Sequence, residues 1–195
     1  MAITITHGKR ERFNYKGATH HLTSRCNNGK ISFVHKIDFE KFESIVMQCK
    51  NKHGFILNNY TIMPTHTHLA IRLEFTIDIS KIMHSINRQY ARWYNEHYKI
   101  KGHFWEDRFY AELVKDDQQL LAVMRYIDLN PVRAKLCNYP VNWKYSGAGF
   151  YLNGAENSLI DIPDTYMALG SDWQERRKAY ASIFPFNLTN LTRLE

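Results

Sequence analysis

Two histidines stand one residue apart, His66 and His68, inside the apolar, β-branched run TIMPTHTHLAIRL at 61–73. On a strand, residues i and i+2 share a face, so two imidazoles at this spacing can converge on one cation. The spacing alone is weak. Ten histidines among 195 residues give about half a His-x-His pair by chance, and two hydrogen-bonded histidines filling a strand explain it as well. A metal would also need a third ligand. Further along, the segment YIDLN places Tyr126 and Asn130 four residues apart, on one face of a helix. The Asn130 amide oxygen would suit an oxygen-preferring ion such as magnesium or manganese, completed by water and phosphate oxygens. Tyr126 would then be the nucleophile. A phenol, with a reference pKa of about 10, attacks poorly at neutral pH unless a cation polarises the electrophile and stabilises the leaving charge. The competing reading makes Tyr126 a core aromatic and Asn130 a helix C-cap before Pro131.

The elements that must position these residues follow from periodicity. HHLTSRC, 20–26, reads as a strand ended by the turn-forming NNGK. In DFEKFESIVMQCKNKH, 38–53, Phe39, Phe42, Ile45, Val46 and Cys49 recur at helical spacing, and Gly54 follows as the stop. FILNNYTIM is a strand that Pro64 separates from a second, HTHLAIRL, which predicts a short hairpin. From Asp78, the residues Ile79, Ile82, Met83, Ile86, Tyr90, Trp93 and Tyr94 form one apolar stripe of a long helix. Lys81, Arg88 and Arg92 lie on its other face. FYAELV predicts a further strand, and the acidic pair Asp116 and Asp117 opens a helix that Pro131 should end or kink.

The resulting order, β-α-β-β-α-β-α, predicts an α+β fold: a ferredoxin-like antiparallel sheet covered by helices on one face. Beyond about Gly154 the pattern weakens to one short and one longer helix, with loosely ordered last residues. We therefore expect a catalytic domain over 1–153 and a small helical C-terminal extension over 154–195.

Composition narrows the class of function. A chain of 195 residues can bury a core without disulfide staples. Cys26, Cys49 and Cys137 are odd in number and never in a CxxC pair, which argues for a reducing compartment and against a zinc ribbon. The N-terminus lacks the charged-then-apolar order of a signal peptide, and no apolar run approaches the roughly 18 residues of a membrane span. A cytoplasmic protein is expected. Lys and Arg total 26 against 19 Asp and Glu, with a pI near 9.3 and 14% aromatic residues. That balance suits a polyanion such as nucleic acid, with flat side chains to stack on unpaired bases, although a basic protein without such a partner would look the same.

Four segments taken together, HHLTSRCNNGK, YTIMPTHTHLAIRL, GHFWEDRFYAELV and MRYIDLNPVRAKL, resemble the single-tyrosine HUH transposases of the IS200-like family, and within it the REP-associated tyrosine transposase group. The similarity runs from about Arg12 to Asn153. It implies a ferredoxin-like fold and metal-dependent cleavage and rejoining of single-stranded DNA at hairpin repeats. By the same resemblance His66, His68 and Asn130 would hold magnesium or manganese, and Tyr126 would attack the scissile phosphate. The product would be a covalent 5′-phosphotyrosine and a free 3′-hydroxyl, a reversible step without ATP or a water-activating base. One residue departs from the family pattern: Thr67 stands between the histidines where a bulky apolar residue is usual, and it should face away from the metal.

The resemblance also implies a monomer in preference to a dimer that exchanges its tyrosine helix. For the DNA path we expect Arg25, Arg88, Arg92, Arg108 and Arg133 near phosphates or bases, and His103, Phe104 and Trp105 as stacking groups. Two alternatives to a strand-transferase stay open at this point. One is a domesticated hairpin-binding module that no longer cuts; the other is a phosphodiesterase that uses water and forms no adduct.

Overall fold

The computed structural model describes residues 14–185. The expected signal-free N-terminus and the expected loose C-terminal tail lie wholly or largely outside them.

Four strands form, β1 (Thr19–Arg25), β2 (Phe55–Ile62), β3 (His66–Leu73) and β4 (Tyr110–Val114), mixing β-branched and apolar residues with polar ones such as His21, Asn59 and His68. They pair in the order β2-β3-β1-β4, antiparallel throughout. With α1 (Lys36–His53) between β1 and β2, and α2 (Ile79–Tyr98) between β3 and β4, this is the split βαβ arrangement. The tyrosine-bearing helix α3 (Asp117–Arg133) follows β4.

Each long helix begins at an acidic residue that satisfies otherwise orphaned amides. Asp38 Oδ2 accepts from the backbone of Val34 and His35 at 2.9 and 2.7 Å. Asp78 accepts from the amide of Ser80 at 2.8 Å, and Asp116 from that of Gln119 at 2.7 Å. Helix α1 stops at Gly54, whose φ of 64° lies in the left-handed region glycine tolerates. Contrary to the expected break, α3 runs through Pro131 to Arg133. A proline this near the helix end forfeits only one hydrogen bond, and the amides of Ala134 and Leu136 still close onto Asn130 and Pro131.

The helices cover both faces of the sheet, not one. On the first face α1 and α2 bury Tyr90 together with Phe42, Ile45, Val46, Ile82, Met83 and Ile86, the aliphatic and phenylalanine side chains each contributing about 1.5–3 kcal/mol of burial. The Asn87 amide reaches Ser24 of β1 at 2.9 Å on this side. On the second face the Asn59 amide of β2 donates to Met124 O at 3.2 Å and Asp128 Oδ1 at 2.9 Å, seating α3. Both sides of α3 carry apolar residues, so its pattern did not show that it crosses to the far face.

The outer edge of β2 is covered by later chain. The Ile62 amide donates to Tyr145 O at 2.9 Å, that of Gly147 to Tyr60 O at 3.0 Å, and that of Asp161 to Leu57 O at 2.9 Å. Gly147 is required there because a Cβ would stand 2.1 Å from Asn59 Oδ1. Three further helices follow: α4 (Ala148–Asn153), α5 (Asp164–Met167) and α6 (Trp173–Ser182). Tyr151, Tyr166 and Tyr180 from these helices are fully buried together. Thr165 donates to Asp117 at 2.6 Å, and Arg125 to Ile183 O at 2.8 Å, so the last helices are fastened to α3.

Candidate active site

Strand register assembles the site. His68 lies opposite Thr23, and His66 opposite Arg25, while on the other side of β1 Glu112 lies opposite His21 and Tyr110 opposite Thr23. Because side chains alternate, all of these project from the face that α3 crosses. From α3, Gln119, Ala122, Val123 and Tyr126 recur at three- and four-residue steps and point back at the sheet. Between them opens a cleft of about 670 Å³ lined by both elements.

Tyr126 stands in this cleft and is 41% exposed, so it is reachable from solvent. Its ring centroid is 5.6 Å from that of His68 and 5.6 Å from that of His21, edge-on to both. The Arg133 guanidinium sits 5.0 Å above the Tyr126 ring, within cation–π range. His66 and His68 are nearly perpendicular, 4.9 Å apart.

His68 is the most enclosed of the group. Its Nδ1 lies 3.0 Å from His21 Nε2 and 3.0 Å from Thr23 Oγ1. Its Nε2 is buried without a hydrogen-bond partner among the described residues. Burial, then the charges of His21, His66 and Arg25, push the His68 pKa down to about 2. Burial takes His21 to about 4, and burial with Arg25 lowers His66. All three imidazoles are therefore neutral at neutral pH, the form that offers a lone pair to a cation. His66 Nδ1 lies 2.9 Å from Thr65 Oγ1.

Together His66, His68 and Asn130 would offer a divalent ion two imidazoles, which suit the later transition metals, and one amide oxygen, which suits magnesium or manganese. One observation fits this set to an ion: the buried, partnerless Nε2 of His68. Among the described residues no group of three or more His, Cys, Asp or Glu could hold a metal, and the cleft lining includes His68 and Tyr126 but not Asn130. Its amide nitrogen donates to Tyr126 O at 2.7 Å, and the helix is capped by Ala134 instead.

Of the other residues singled out, Arg25 lines the cleft beside His68, and Arg133 covers Tyr126. Arg88 and Arg92 are exposed on α2, the helix that covers the opposite face, and Arg92 pairs with Glu96 at 2.7 Å. His103 and Arg108 are exposed in the loop before β4. Trp105 is half-buried, donates to Asn87 O at 2.8 Å and packs on Tyr90 and Phe104 in the core. Phe104 is itself buried. Thr67 is buried on the face away from the cleft. Sequence reasoning passed over His21, Thr23 and Glu112. The two-residue period of HHLTSR puts His21, Thr23 and Arg25 on one face, but only the pairing of β1 with β3 says that it is the His68 face.

The fold is that of the REP-associated tyrosine transposases. A solved REP-associated tyrosine transposase bound to a REP hairpin superposes with a TM-score of 0.65, covering 80% of this chain and 98% of that one at 17% identity. The chain belongs to the IS200-like transposase family, whose model matches residues 14–130. A Haemophilus influenzae protein assigned as a REP-associated tyrosine transposase is 28% identical over 117 residues, 54% of this chain. That match spans 66% of the relative's own length, just under two thirds. Among the described residues no helix is long and apolar enough to cross a membrane.

Proposed function

We propose that the protein is a metal-dependent nuclease and strand-transferase for single-stranded DNA at hairpin repeats, working through a covalent phosphotyrosine. The observation that carries this reading is the meeting of Tyr126 with His68, within one chain, in a cleft open to solvent. The phenol oxygen of Tyr126 attacks the scissile phosphorus and loses its proton to solvent. A Tyr–O–P bond forms as the P–O3′ bond breaks, and the departing oxygen takes up a proton to become a free 3′-hydroxyl. Reversal by a 3′-hydroxyl rejoins strands. When bound by His66, His68 and Asn130, a divalent ion would polarise the phosphate and offset charge on the leaving oxygen.

The chain's own residues do the rest. Arg25 and Arg133 flank the cleft with fixed positive charge where a phosphodiester would lie. The packing of Tyr126 by α3 against its own sheet supports a nucleophile acting in cis within a monomer. The proposed catalytic domain, 1–153, contains all of these side chains, and the later helices brace α3 from behind. The relative solved with a REP hairpin supports hairpin DNA as the substrate class.

The test is incubation of labelled hairpin DNA bearing single-stranded flanks with the protein and manganese or magnesium, followed by denaturing electrophoresis. A protein–DNA adduct is expected that disappears in Tyr126→Phe. An adduct surviving that substitution would overturn the assignment of the nucleophile, and tight hairpin binding without any adduct would mark a non-cleaving module.

A further inference from the structure

We propose that His21 is a positioning residue for His68: its Nε2 accepts the Nδ1 proton of His68, which leaves the buried His68 Nε2 bare and able to ligate a metal. The inference rests on the metal-dependent reading above and adds a residue to it that neither the His-x-His spacing nor the tyrosine helix contains.

The geometry is specific. His21 lies on β1 diagonal to His68, two residues from the position directly across, within reach of a ring-sized side chain. The two rings are inclined by only 26°, with centroids 5.1 Å apart and a nitrogen–nitrogen separation of 3.0 Å. Two proton arrangements satisfy that contact. In one, His21 or Thr23 donates to His68 Nδ1, and the His68 proton must then sit on Nε2, where a buried N–H would have no acceptor and a cation would be excluded. In the other, His68 Nδ1–H donates to His21 Nε2, with Thr23 Oγ1 as a second acceptor at 3.0 Å. That arrangement leaves a lone pair on Nε2, which is what a metal site requires. A ligand histidine usually donates its second ring N–H to an oriented acceptor, and losing that acceptor typically lowers metal affinity about 10–100-fold. Here an imidazole occupies the acceptor position that a carboxylate or carbonyl more often fills.

The edge-on contact of His21 with Tyr126 gives the packing explanation, in which His21 is only a filler between β1 and α3. Rescue by a side chain that accepts but does not resemble imidazole separates the two. In the full-length protein without DNA, manganese binding measured by electron paramagnetic resonance should weaken at least 10-fold in His21→Leu and recover most of that loss in His21→Gln, whose amide oxygen can accept. Two-bond proton–nitrogen NMR of the wild-type protein should show His68 protonated on Nδ1, a readout that needs no variant. Wild-type manganese affinity in a folded His21→Leu, or a wild-type His68 protonated on Nε2, would overturn the proposal. Loss in Leu without recovery in Gln would assign His21 to packing. The outcomes stay distinct from those of the cleavage test. A wild-type protein that shows the Nδ1 proton and the His21-dependent manganese site but forms no Tyr126 adduct would keep this inference and end the strand-transfer reading; the converse result would do the opposite.

Discussion

Asp128 on α3 accepts a 2.7 Å hydrogen bond from the hydroxyl of Tyr180 on α6, while its other oxygen accepts one of 2.9 Å from Asn59 on β2. A fully buried carboxyl thus joins the sheet, the tyrosine helix and the last helix.

This junction makes stability depend on pH. Burial raises the Asp128 pKa from 3.8 to about 7, against the opposing pull of the Asn59 and Tyr180 hydrogen bonds. The folded state therefore holds its proton more tightly than the unfolded state does. The contribution is full below about pH 4, falls as pH rises towards 7, and is flat above, with a limiting slope of about 1.4 kcal/mol per pH unit. In Asp128→Asn an amide replaces the titrating group and the slope should flatten. Urea unfolding at pH 5 and pH 8 checks this, and parallel profiles for the two proteins would contradict it.

Removing the donor is the complementary experiment. Tyr180→Phe leaves Asp128 Oδ2 without its phenolic partner, and an unsatisfied buried acceptor costs about 1–3 kcal/mol. Chemical denaturation at pH 8, where the carboxylate is charged, should show the larger loss. A change below about 0.5 kcal/mol would mean that water or another group takes the place of the hydroxyl.

His66→Ala and Asn130→Ala separate ligation from DNA binding. Each should raise the manganese concentration needed for adduct formation by 10-fold or more while hairpin affinity measured without metal stays within about twofold, because neither is asked to contact bases. Equal loss of both properties in His66→Ala would make that histidine structural. An unaltered metal requirement in Asn130→Ala would remove it from the ligand set.

Arg25 and Arg133 should act through charge at the cleft. Alanine at either position should weaken hairpin binding and reduce the slope of log affinity against log salt by about one. If Tyr126 is the nucleophile, Arg133→Ala should in addition slow adduct formation, since its guanidinium also rests on the Tyr126 ring. Titration at two or three salt concentrations decides between this and an arginine that merely packs.

Local pattern revealed much of this architecture. The apolar stripe from Ile79 to Tyr94 defined α2, and Asp78, Gly54 and the Asp116–Asp117 pair marked helix ends by side-chain chemistry that acts within a few residues. What the sequence hid is non-local. Nothing in 117–133 says that α3 lies on the face opposite α2, since its apolar residues surround it on more than one side. Helix α4 is short, begins at Gly147 and ends at Gly154, and so has no period long enough to read. Strand pairing is what gives His21 its place, and Trp105, which reads as an exposed stacking group in GHFWEDR, is drawn into the core by Tyr90 and Phe104.

The register of β1 against β3 has a further meaning for how the site can fail. Sliding β1 by one residue would present His20, Leu22 and Ser24 to α3 in place of His21, Thr23 and Arg25. Imidazole, hydroxyl and guanidinium would leave the cleft together, with no intermediate arrangement that keeps some of them. Correct pairing of β1 and the presence of all three side chains in the cleft therefore stand or fall together, and a misregistered chain would lack this cleft even if compact.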